Sequence, residues 1–395
     1  MFLGDMIKYM KGKYDVSYKI FIMKRFGTIS YNIYCNFTNY GSALQTWALH
    51  QAIKKAGKGD VEPVLVDYCP DILADKDALN PFENMWDKDE QSRKMCELSM
   101  PAIRENFYKF DDFYHDRFTR TENKYTSENF NDVVAEENLD GFVCGSDTIF
   151  CIDEFGGFDD GYYANYDCMK NGYTVAYAAS FGDSHFNEET YKILNERLRN
   201  FKYIGLRENI MLSYVKDNSN IPSQRVIDPT LLLEPKEYDV ITEERQEEEK
   251  YLLLYARRYN PDMEAYAEEL AKKNEWKVIE ISLRATNAEK NRMFYEAGVE
   301  EFLSLVKNAE FVVTNSFHGA IFSVQFKRPF YVFSREQCDN KIEELLALFG
   351  LSDRMRNTGL EEEAKAIDYE EVHRRIGEAR KDSLQFLSKE LEDCK

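Results

Sequence analysis

Short apolar runs alternate with amphipathic stretches along most of the chain. The runs are rich in β-branched and aromatic residues and predict strands at 61–68, 141–144, 174–179, 202–206, 226–227, 251–255, 277–282, 311–314 and 330–333. A first strand is predicted at 19–22 or 28–34. Apolar positions recur at helical spacing in 42–56, 262–274, 299–308 and 320–326. This alternation is typical of parallel sheets with crossover helices, so the predicted class is α/β.

The pattern is interrupted in three places that bear on domain organisation. Residues 70–131 are charged, aromatic and helical in character, and no strand is predicted there. An acidic stretch at 238–250 is typical of a solvated loop or linker, and 360–391 reads as an amphipathic helical tail. We therefore predict two Rossmann-like domains with a cleft between them. Their predicted bounds are 1–236, with a helical insertion at about 70–131, and 250–356, followed by a helical tail at 357–395.

Length and charge narrow the possible functions. A chain of 395 residues is too long for one ordinary hydrophobic core, which agrees with two domains. Lys and Arg total 51 against 71 Asp and Glu, a formal net charge of -20. This balance argues against general nucleic-acid binding, because affinity for phosphate backbones needs a basic surface. An anionic small ligand would have to be bound by locally clustered Arg, Lys and His.

The cellular compartment is predicted from targeting, membrane-spanning and cysteine patterns that do not occur in the sequence. The first 24 residues contain no apolar run long enough for a signal peptide, and no run of about eighteen apolar residues occurs that could span a membrane. The eight cysteines show no C-x-x-C pair, so scattered reduced thiols are favoured over a zinc site or a disulfide framework. A cytoplasmic protein is the expectation.

Polar residues follow many of the predicted strands. In parallel sheets such residues meet at one edge, where ligands bind. They are Gly145, Ser146 and Asp147; Arg207 and Glu208; Asp228, Pro229 and Thr230; Arg257 and Arg258; Arg284; and 314–319.

The segment Ser316-Phe317-His318-Gly319 is the most informative of these strand ends. A strand, a short turn and an apolar helix leave backbone N–H groups and the positive helix end available to an anion. His318 could donate to a phosphate or transfer a proton. The alternative is structural, with Ser316 as a cap and His318 hydrogen-bonded. Histidines 50, 115, 185 and 373 are interpreted as surface or helix residues.

Residues at other strand ends also have both a functional and a structural interpretation. Asp147 could be an N-cap, and Glu208 could cap a helix while Arg207 remains solvated. The P-loop, H-E-x-x-H and G-x-S-x-G patterns do not occur.

Taken together, six short motifs resemble the polysaccharide pyruvyl transferase family over roughly 36–356. They are Asn39-Tyr40-Gly41-Ser42-Ala43-Leu44-Gln45, Gly145-Ser146-Asp147, Ala179-Ser180-Phe181-Gly182, Gly205-Leu206-Arg207-Glu208, Asp228-Pro229-Thr230 and Thr314-Asn315-Ser316-Phe317-His318-Gly319. The resemblance implies a fold like that of the GT-B glycosyltransferases. It also implies transfer of a pyruvyl group from phosphoenolpyruvate to two hydroxyls of one sugar, which forms a cyclic ketal and releases phosphate. No further cofactor is expected.

The resemblance also implies roles for single residues. His318 would lie against the phosphate and transfer protons, with Ser316 and the Gly319 amide beside it. Further groups for phosphoenolpyruvate would be Arg207, Arg257 and Lys341, the last standing where the family often has Arg. On the first domain, Asn39 and Tyr40 would bind the acceptor, and Asp147 would be a possible base.

Two other function classes stay open from the sequence. One is a GT-B-type glycosyltransferase that uses a nucleotide sugar, for which Glu280, inside its strand, is a poor ribose ligand. The other is a binding protein that keeps only the fold. Expected partners are phosphoenolpyruvate and a sugar or lipid-linked oligosaccharide, with no nucleic acid and no transmembrane segment. The acceptor sugar and the oligomeric state are not predicted.

Overall fold

A computed structural model describes residues 23–34, 38–77, 79, 90–282, 287–335, 339–357 and 365–394. Within these residues the strands are β1 (Lys24–Ile29), β2 (Val61–Tyr68), β3 (Arg120–Tyr125), β4 (Gly141–Cys144), β5 (Thr174–Ala179), β6 (Ile204–Leu206), β7 (Ser223–Arg225), β8 (Tyr251–Tyr255), β9 (Lys277–Ile281), β10 (Arg292–Met293), β11 (Phe311–Thr314), β12 (Phe330–Phe333) and β13 (Met355–Arg356).

The helices connect these strands. They are α1 (Tyr40–Ala56), α2 (Glu90–Asp116), α3 (Val133–Glu137), α4 (Asp167–Lys170), α5 (Glu188–Leu198), α6 (Asn209–Asn218), α7 (Pro261–Asn274), α8 (Val299–Asn308), α9 (Phe317–Gln325), α10 (Asp339–Phe349) and α11 (Tyr369–Glu392). None of the helices in the described ranges combines the length and the apolar character that crossing a membrane would require.

Two parallel sheets organise the molecule. The first has the order β3-β2-β1-β4-β5-β6-β7, and the second has the order β10-β9-β8-β11-β12-β13. All pairs are parallel, but the order in which successive strands are added reverses once in each sheet, between β1 and β4 in the first and between β8 and β11 in the second. In parallel sheets these switch points open a crevice beyond the carboxyl ends of the strands. The predicted α/β class with two Rossmann-like, GT-B-like domains is therefore confirmed.

Local sequence explains why the elements begin and end where they do. Strand β8 is buried at every position, as expected for a strand covered on both faces. Helix α7 begins with Asn260, whose side chain accepts from the Met263 N–H, and Pro261 occupies the first helical position. Helix α11 begins with Asp368, whose carboxylate accepts from two backbone N–H groups of its first turn. These caps satisfy donors that a helix start leaves unpaired.

The hydrophobic core is continuous between the two sheets. One buried cluster includes Tyr40 and Trp47 of α1 together with Tyr255, Phe302 and Phe322 of the second half. Helix α11 follows the second sheet in sequence and packs back on α1 of the first half. The same burial that stabilises each half thus also fixes how the two sheets face each other.

Most predicted elements agree with the structure, and four differ clearly from it. The prediction of no strand in 70–131 is wrong, because β3 forms the edge of the first sheet there. Its sequence RTENKY is mostly polar, as an edge strand allows, so it lacks the apolar signal. The strand predicted at 226–227 lies earlier, in β7. Helix α9 begins at Phe317 and not at Ala320. The first strand was predicted at 19–22 or 28–34, but β1 spans Lys24–Ile29 and overlaps the second range only at its start. The range 19–22 and Arg284 fall outside the described residues.

Candidate functional site

A cleft with a volume of about 1010 Å³ lies between the carboxyl ends of the two sheets. Its first wall comes from loops after β1, β4, β5 and β6, and its second wall from loops after β8, β11 and β12 and from α10. Both switch points open into it. The residues that the sequence places after different strands are therefore brought to one space.

The second wall is built at the β8/β11 switch point. Asn315 accepts from the Arg257 N–H (2.7 Å) and donates its side-chain amide to the Arg258 carbonyl (2.8 Å). Thr314 donates its hydroxyl to the Tyr255 carbonyl at 2.7 Å, which ties the two strand ends together. One asparagine thus holds the backbone that carries both arginines at the cleft.

The first turn of α9 forms the centre of this wall. Ser316 is the N-cap, and its hydroxyl oxygen accepts from the Gly319 N–H at 3.2 Å. A Cβ on Gly319 would lie 2.5 Å from the Thr314 hydroxyl, so only glycine fits there without a shift. The predicted role of the Gly319 amide in binding phosphate is not supported, because that amide already has Ser316 as its acceptor.

His318 lies between the two halves of the molecule. Its side chain lines the cleft but is only 11 % exposed. The ring packs so closely on Gly41 of α1 that a Cβ there would lie 2.0 Å from Nδ1. On the other side, Nε2 is 3.7 Å from Asp228 Oδ2 and makes no hydrogen bond within the described residues. Helix α1 and the Asp228 loop together fix the plane of this imidazole.

Asp228 is the buried acid that organises the interior end of the cleft. Its Oδ1 accepts from the Thr230 N–H (3.0 Å) and hydroxyl (2.6 Å), and its Oδ2 accepts from Arg207 at 2.5 Å. Burial raises the pKa of this carboxyl, but His318, Arg207 and Thr230 outweigh burial and hold the pKa well below its usual range. Asp228 is therefore an anion beside His318.

Arg207 is fixed by that acid. Its side chain is 9 % exposed, and its guanidinium lies 5.2 Å from the centre of the Phe317 ring. Burial lowers the pKa of Arg207, but the negative charges of Asp228, Glu208 and Asp147 raise it by more, so the net shift is upward. The alternative prediction that Arg207 is solvated is wrong, because its side chain is buried and paired with Asp228. Glu208 does not cap α6 and accepts instead from the Ser180 hydroxyl.

Asp147 lies on the first wall, in the loop after β4. Its carboxylate accepts from the Ser42 hydroxyl (2.6 Å, Oδ2) and from the Thr148 N–H (2.9 Å, Oδ1). Its φ of 68° lies in the left-handed region, which Asp tolerates better than most residues. No helix follows within the turn at 148–155, so the interpretation of Asp147 as an N-cap is wrong.

Thr148 also connects Asp147 to a second carboxylate. The Thr148 hydroxyl donates to Glu154 Oε2 at 2.6 Å. Burial among the cleft walls is the largest effect on Glu154 and raises its pKa. The hydrogen bond from Thr148 lowers the pKa, the charge of Asp147 raises it, and the charges of Lys341 and Arg257 lower it, with a net upward shift. Glu154 is thus a cleft acid that holds its proton to higher pH than usual.

Charge is divided between the walls. The second wall carries four cationic side chains at the cleft, Arg257, Arg258, Arg335 and Lys341. The loops of the first wall carry four carboxylates, Asp147, Asp153, Glu154 and Asp183. Arg207 reaches the same space from β6. Such a division favours an anionic ligand on the second wall and a hydroxyl-rich one on the first.

Comparison with known families agrees with the motifs. The sequence profile described as "Polysaccharide pyruvyl transferase" matches residues 39–337, most of the chain. The protein belongs to the polysaccharide pyruvyl transferase family. A comparison with curated proteins gave no significant match.

This pyruvyl transferase family member is also similar in fold to solved structures of low sequence identity. An S. aureus MnaA–UDP co-structure is 13% identical over 93% of this chain and 91% of that chain, with a TM-score of 0.46. A Neisseria meningitidis UDP-GlcNAc 2-epimerase bound to UDP-GlcNAc is 10% identical, covering 94% and 99%, with a TM-score of 0.47. The E. coli ADP-heptose lps heptosyltransferase II is 10% identical, covering 91% and 99%, with a TM-score of 0.40. At these identities and scores the likeness says nothing about substrate.

The cleft of this family member brings together most of the predicted site residues. Those that line it are Asn39, Asp147, Arg207, Arg257, Ser316, His318 and Lys341. Asn39 also caps α1, since its side chain accepts from the Gly41 N–H. Tyr40 does not line this cleft. Its hydroxyl donates to the Ala297 carbonyl at 2.8 Å and its ring stacks on Phe302, so it packs between the two halves.

Sequence reasoning missed several residues of the site, among them Glu154, Gly41 and His185. Glu154 follows a strand end by several residues and stands in no motif. Gly41 was noted only as part of a motif, although it is the surface against which His318 packs. His185 was interpreted as a surface histidine, and it is exposed, but the surface on which it lies is that of the cleft. The signal in the sequence was position: Glu154 and His185 lie in loops after first-sheet strands, and Gly41 lies in a motif at the start of α1.

No group of three or more His, Cys, Asp or Glu side chains is arranged to hold a metal ion within the part of the chain that the structure describes. Six of the cysteines lie in that part and none of the six is in a disulfide.

Proposed function

We propose that this protein transfers the pyruvyl group of phosphoenolpyruvate to two hydroxyls of a sugar in a polysaccharide precursor, with release of phosphate. The observation that carries this proposal is the division of charge in the cleft, with cationic side chains on the second wall and carboxylates on the first. Phosphoenolpyruvate carries a phosphate and a carboxylate, and both suit the cationic wall. Sugar hydroxyls suit carboxylates that can accept their protons.

The chemistry assigns roles to the residues of both walls. Arg257, Arg207 and Lys341 neutralise the phosphate and the carboxylate of phosphoenolpyruvate. His318, held between Gly41 and Asp228, donates to the phosphate and transfers a proton. Asp147, oriented by Ser42 and Thr148, is the base toward an acceptor hydroxyl.

The test is calorimetric binding of phosphoenolpyruvate, followed by phosphate release on a panel of nitrophenyl glycosides. We expect Lys341→Gln to weaken phosphoenolpyruvate binding by roughly tenfold, because a charge-assisted contact is lost. The matched control is Lys290→Gln, since Lys290 forms a surface ion pair with Glu268 away from the cleft. Wild-type protein that neither binds phosphoenolpyruvate nor releases phosphate with any glycoside would refute the proposal.

The structure gives no support to the alternative of a nucleotide-sugar glycosyltransferase. A ribose-binding acid in the second half would have to be accessible, but Glu280 is 1% exposed. Its carboxylate accepts from Ser282 (2.7 Å), Asn287 (3.0 Å) and Asn291 (2.7 Å). If UDP-sugars raised the melting temperature of the protein and phosphoenolpyruvate did not, the glycosyltransferase would become the preferred function.

A further inference from the structure

Two loops of the first wall are joined at the cleft by a histidine and an aspartate. Asp153 follows β4 and His185 follows β5. One carboxylate oxygen of Asp153 accepts from both the backbone N–H (2.8 Å) and Nδ1 (2.7 Å) of His185. Nearby, Ser184 accepts from the Ile152 N–H at 3.2 Å and donates to the Phe181 carbonyl at 2.6 Å. The two loops therefore hold the pair in one geometry.

The pairing decides which nitrogen of His185 is available. A carboxylate only accepts hydrogen bonds, so Nδ1 carries a proton, and in the neutral imidazole the lone pair is on Nε2. The hydrogen bonds from His185 lower the pKa of Asp153, which keeps it in the carboxylate form. The His185 side chain is 89% exposed and lines the same cleft as His318. An imidazole oriented in this way is equipped to accept a proton.

His318 is placed differently. Its ring lies against Gly41 and faces the buried Asp228, so its contacts are with protein on two sides. His185 stands instead among the carboxylates of the first wall and is open to water. The two histidines thus face opposite partners of the reaction.

We propose that His185, oriented by Asp153, is a second catalytic base, which deprotonates the acceptor hydroxyl that closes the ketal ring. This inference rests on the proposed function. His185 is the catalytic residue of the pair and Asp153 is a positioning residue.

The proton balance of the reaction explains why a second base is needed. In the first addition, a sugar O–H bond breaks, its oxygen bonds to C2 of phosphoenolpyruvate, and C3 gains a proton, so the step is neutral in protons. In the second, another O–H bond breaks, the new O–C2 bond forms, and phosphate leaves with the electron pair of the C2–O bond. That second sugar proton passes to Nε2 of His185 and then, through water that an exposed imidazole can reach, to the departing phosphate, which is released as hydrogen phosphate.

The experiment compares two signals on the most active nitrophenyl glycoside: loss of the enol absorbance of phosphoenolpyruvate, and release of phosphate. For His185→Ala we expect a burst of enol loss of about one equivalent per enzyme, with steady-state phosphate release reduced roughly 100-fold or more. Added imidazole should restore part of that release. Asp153→Asn should lower kcat roughly tenfold or more without changing KM for phosphoenolpyruvate, because the anion that orients the ring is lost.

The matched control is His115→Gln. His115 is also paired with an aspartate, Asp111 at 3.8 Å, but on the exposed face of α2 away from the cleft. We expect its kinetics to be those of the wild type.

A merely structural role for the pair would give another result. His185→Ala would then lose thermal stability while keeping kcat and showing no response to imidazole, and this would overturn the assignment. Intact phosphoenolpyruvate binding with normal phosphate release in His185→Ala refutes the dyad alone. Absence of any phosphoenolpyruvate turnover by the wild type refutes the proposed function and the dyad together.

Discussion

At the scale of single residues, Gly41 decides where His318 can lie. The imidazole packs on the Gly41 backbone, and the Gly41 N–H donates to the Asn39 side chain that begins α1. Glycine is costly near a helix start unless something needs the space of its missing side chain. Here that space is filled by the His318 ring, so a site residue of one half depends on a glycine of the other.

We therefore predict that Gly41→Ala lowers activity by roughly 100-fold, because the added Cβ would displace the His318 ring by an ångström or more. Steady-state kinetics measure this, with circular dichroism to show that the fold is kept. The control is Gly377→Ala in α11, where an added Cβ has nothing within 4 Å. That variant should gain about 1 kcal/mol of stability from helix propensity and keep full activity. Full activity in Gly41→Ala would contradict the packing described.

At the scale of elements, α11 is the connection between the two halves. Arg380 of α11 donates to the Leu231 and Leu233 carbonyls, in the segment that follows Asp228. Gln325 of α9 donates to the Thr230 and Leu233 carbonyls from the other side. Two helices thus hold the segment that presents Asp228 to Arg207 and His318.

One residue of α11 opposes this docking. Glu390 is fully buried, and neither carboxylate oxygen has a hydrogen-bond partner within the described residues. Burial raises its pKa well above the ordinary 4.5. Above pH 4.5 the unfolded chain is ionised at this position while the folded chain still holds the proton, so stability falls as pH rises through that window.

Replacing this carboxyl should stabilise the protein. We expect Glu390→Met to raise the free energy of unfolding at pH 7 by roughly 1–3 kcal/mol, because an unpaired buried polar group is removed. The gain should shrink as pH falls toward 4, as measured by denaturant unfolding at several pH values. Glu392→Met is the control on the exposed face of the same helix and should change stability by less than about 0.5 kcal/mol. A less stable Glu390→Met would show that Glu390 has a partner.

At the scale of the whole molecule, an interface of aromatic rings and ion pairs joins the two halves beside the cleft. Tyr40 stacks on Phe302 with ring centroids 4.5 Å apart and an interplanar angle of 15°. Two ion pairs lie next to it. Lys109 of α2 pairs with Glu301 at 2.5 Å, and Arg117, the residue after α2, pairs with Glu300 at 2.5 Å. The relative position of the cleft walls depends on these contacts.

Tyr40 is accordingly predicted to act on stability and not on acceptor binding. Tyr40→Phe removes the hydrogen bond to the Ala297 carbonyl and the longer one that Asn106 donates to the hydroxyl, and should cost about 1 kcal/mol, with KM for the acceptor unchanged. Asn39→Ala, at the cleft, provides the comparison for an acceptor effect. A raised acceptor KM with unchanged stability in Tyr40→Phe would restore the role that the family resemblance implies.

The sequence determined the elements and the edge of each sheet at which polar residues collect. Apolar periodicity acts between near neighbours in the chain, so β2, β4, β5, β8, β11, β12 and α8 were predicted with the bounds that the structure has. A mostly polar edge strand such as β3 gives no such signal, and it was missed. The motif around His318 was also evident, because a strand, a cap and a helix are local.

Only the tertiary structure decided what each polar residue contacts. Seven of the predicted site residues meet at the cleft, whereas Tyr40 and the Gly319 amide are engaged elsewhere. The contacts of His318 with Gly41, of Arg207 with Asp228 and of His185 with Asp153 join segments far apart in the sequence. Such contacts arise from the facing of two sheets, which depends on packing across the whole core and leaves no periodic pattern in the chain.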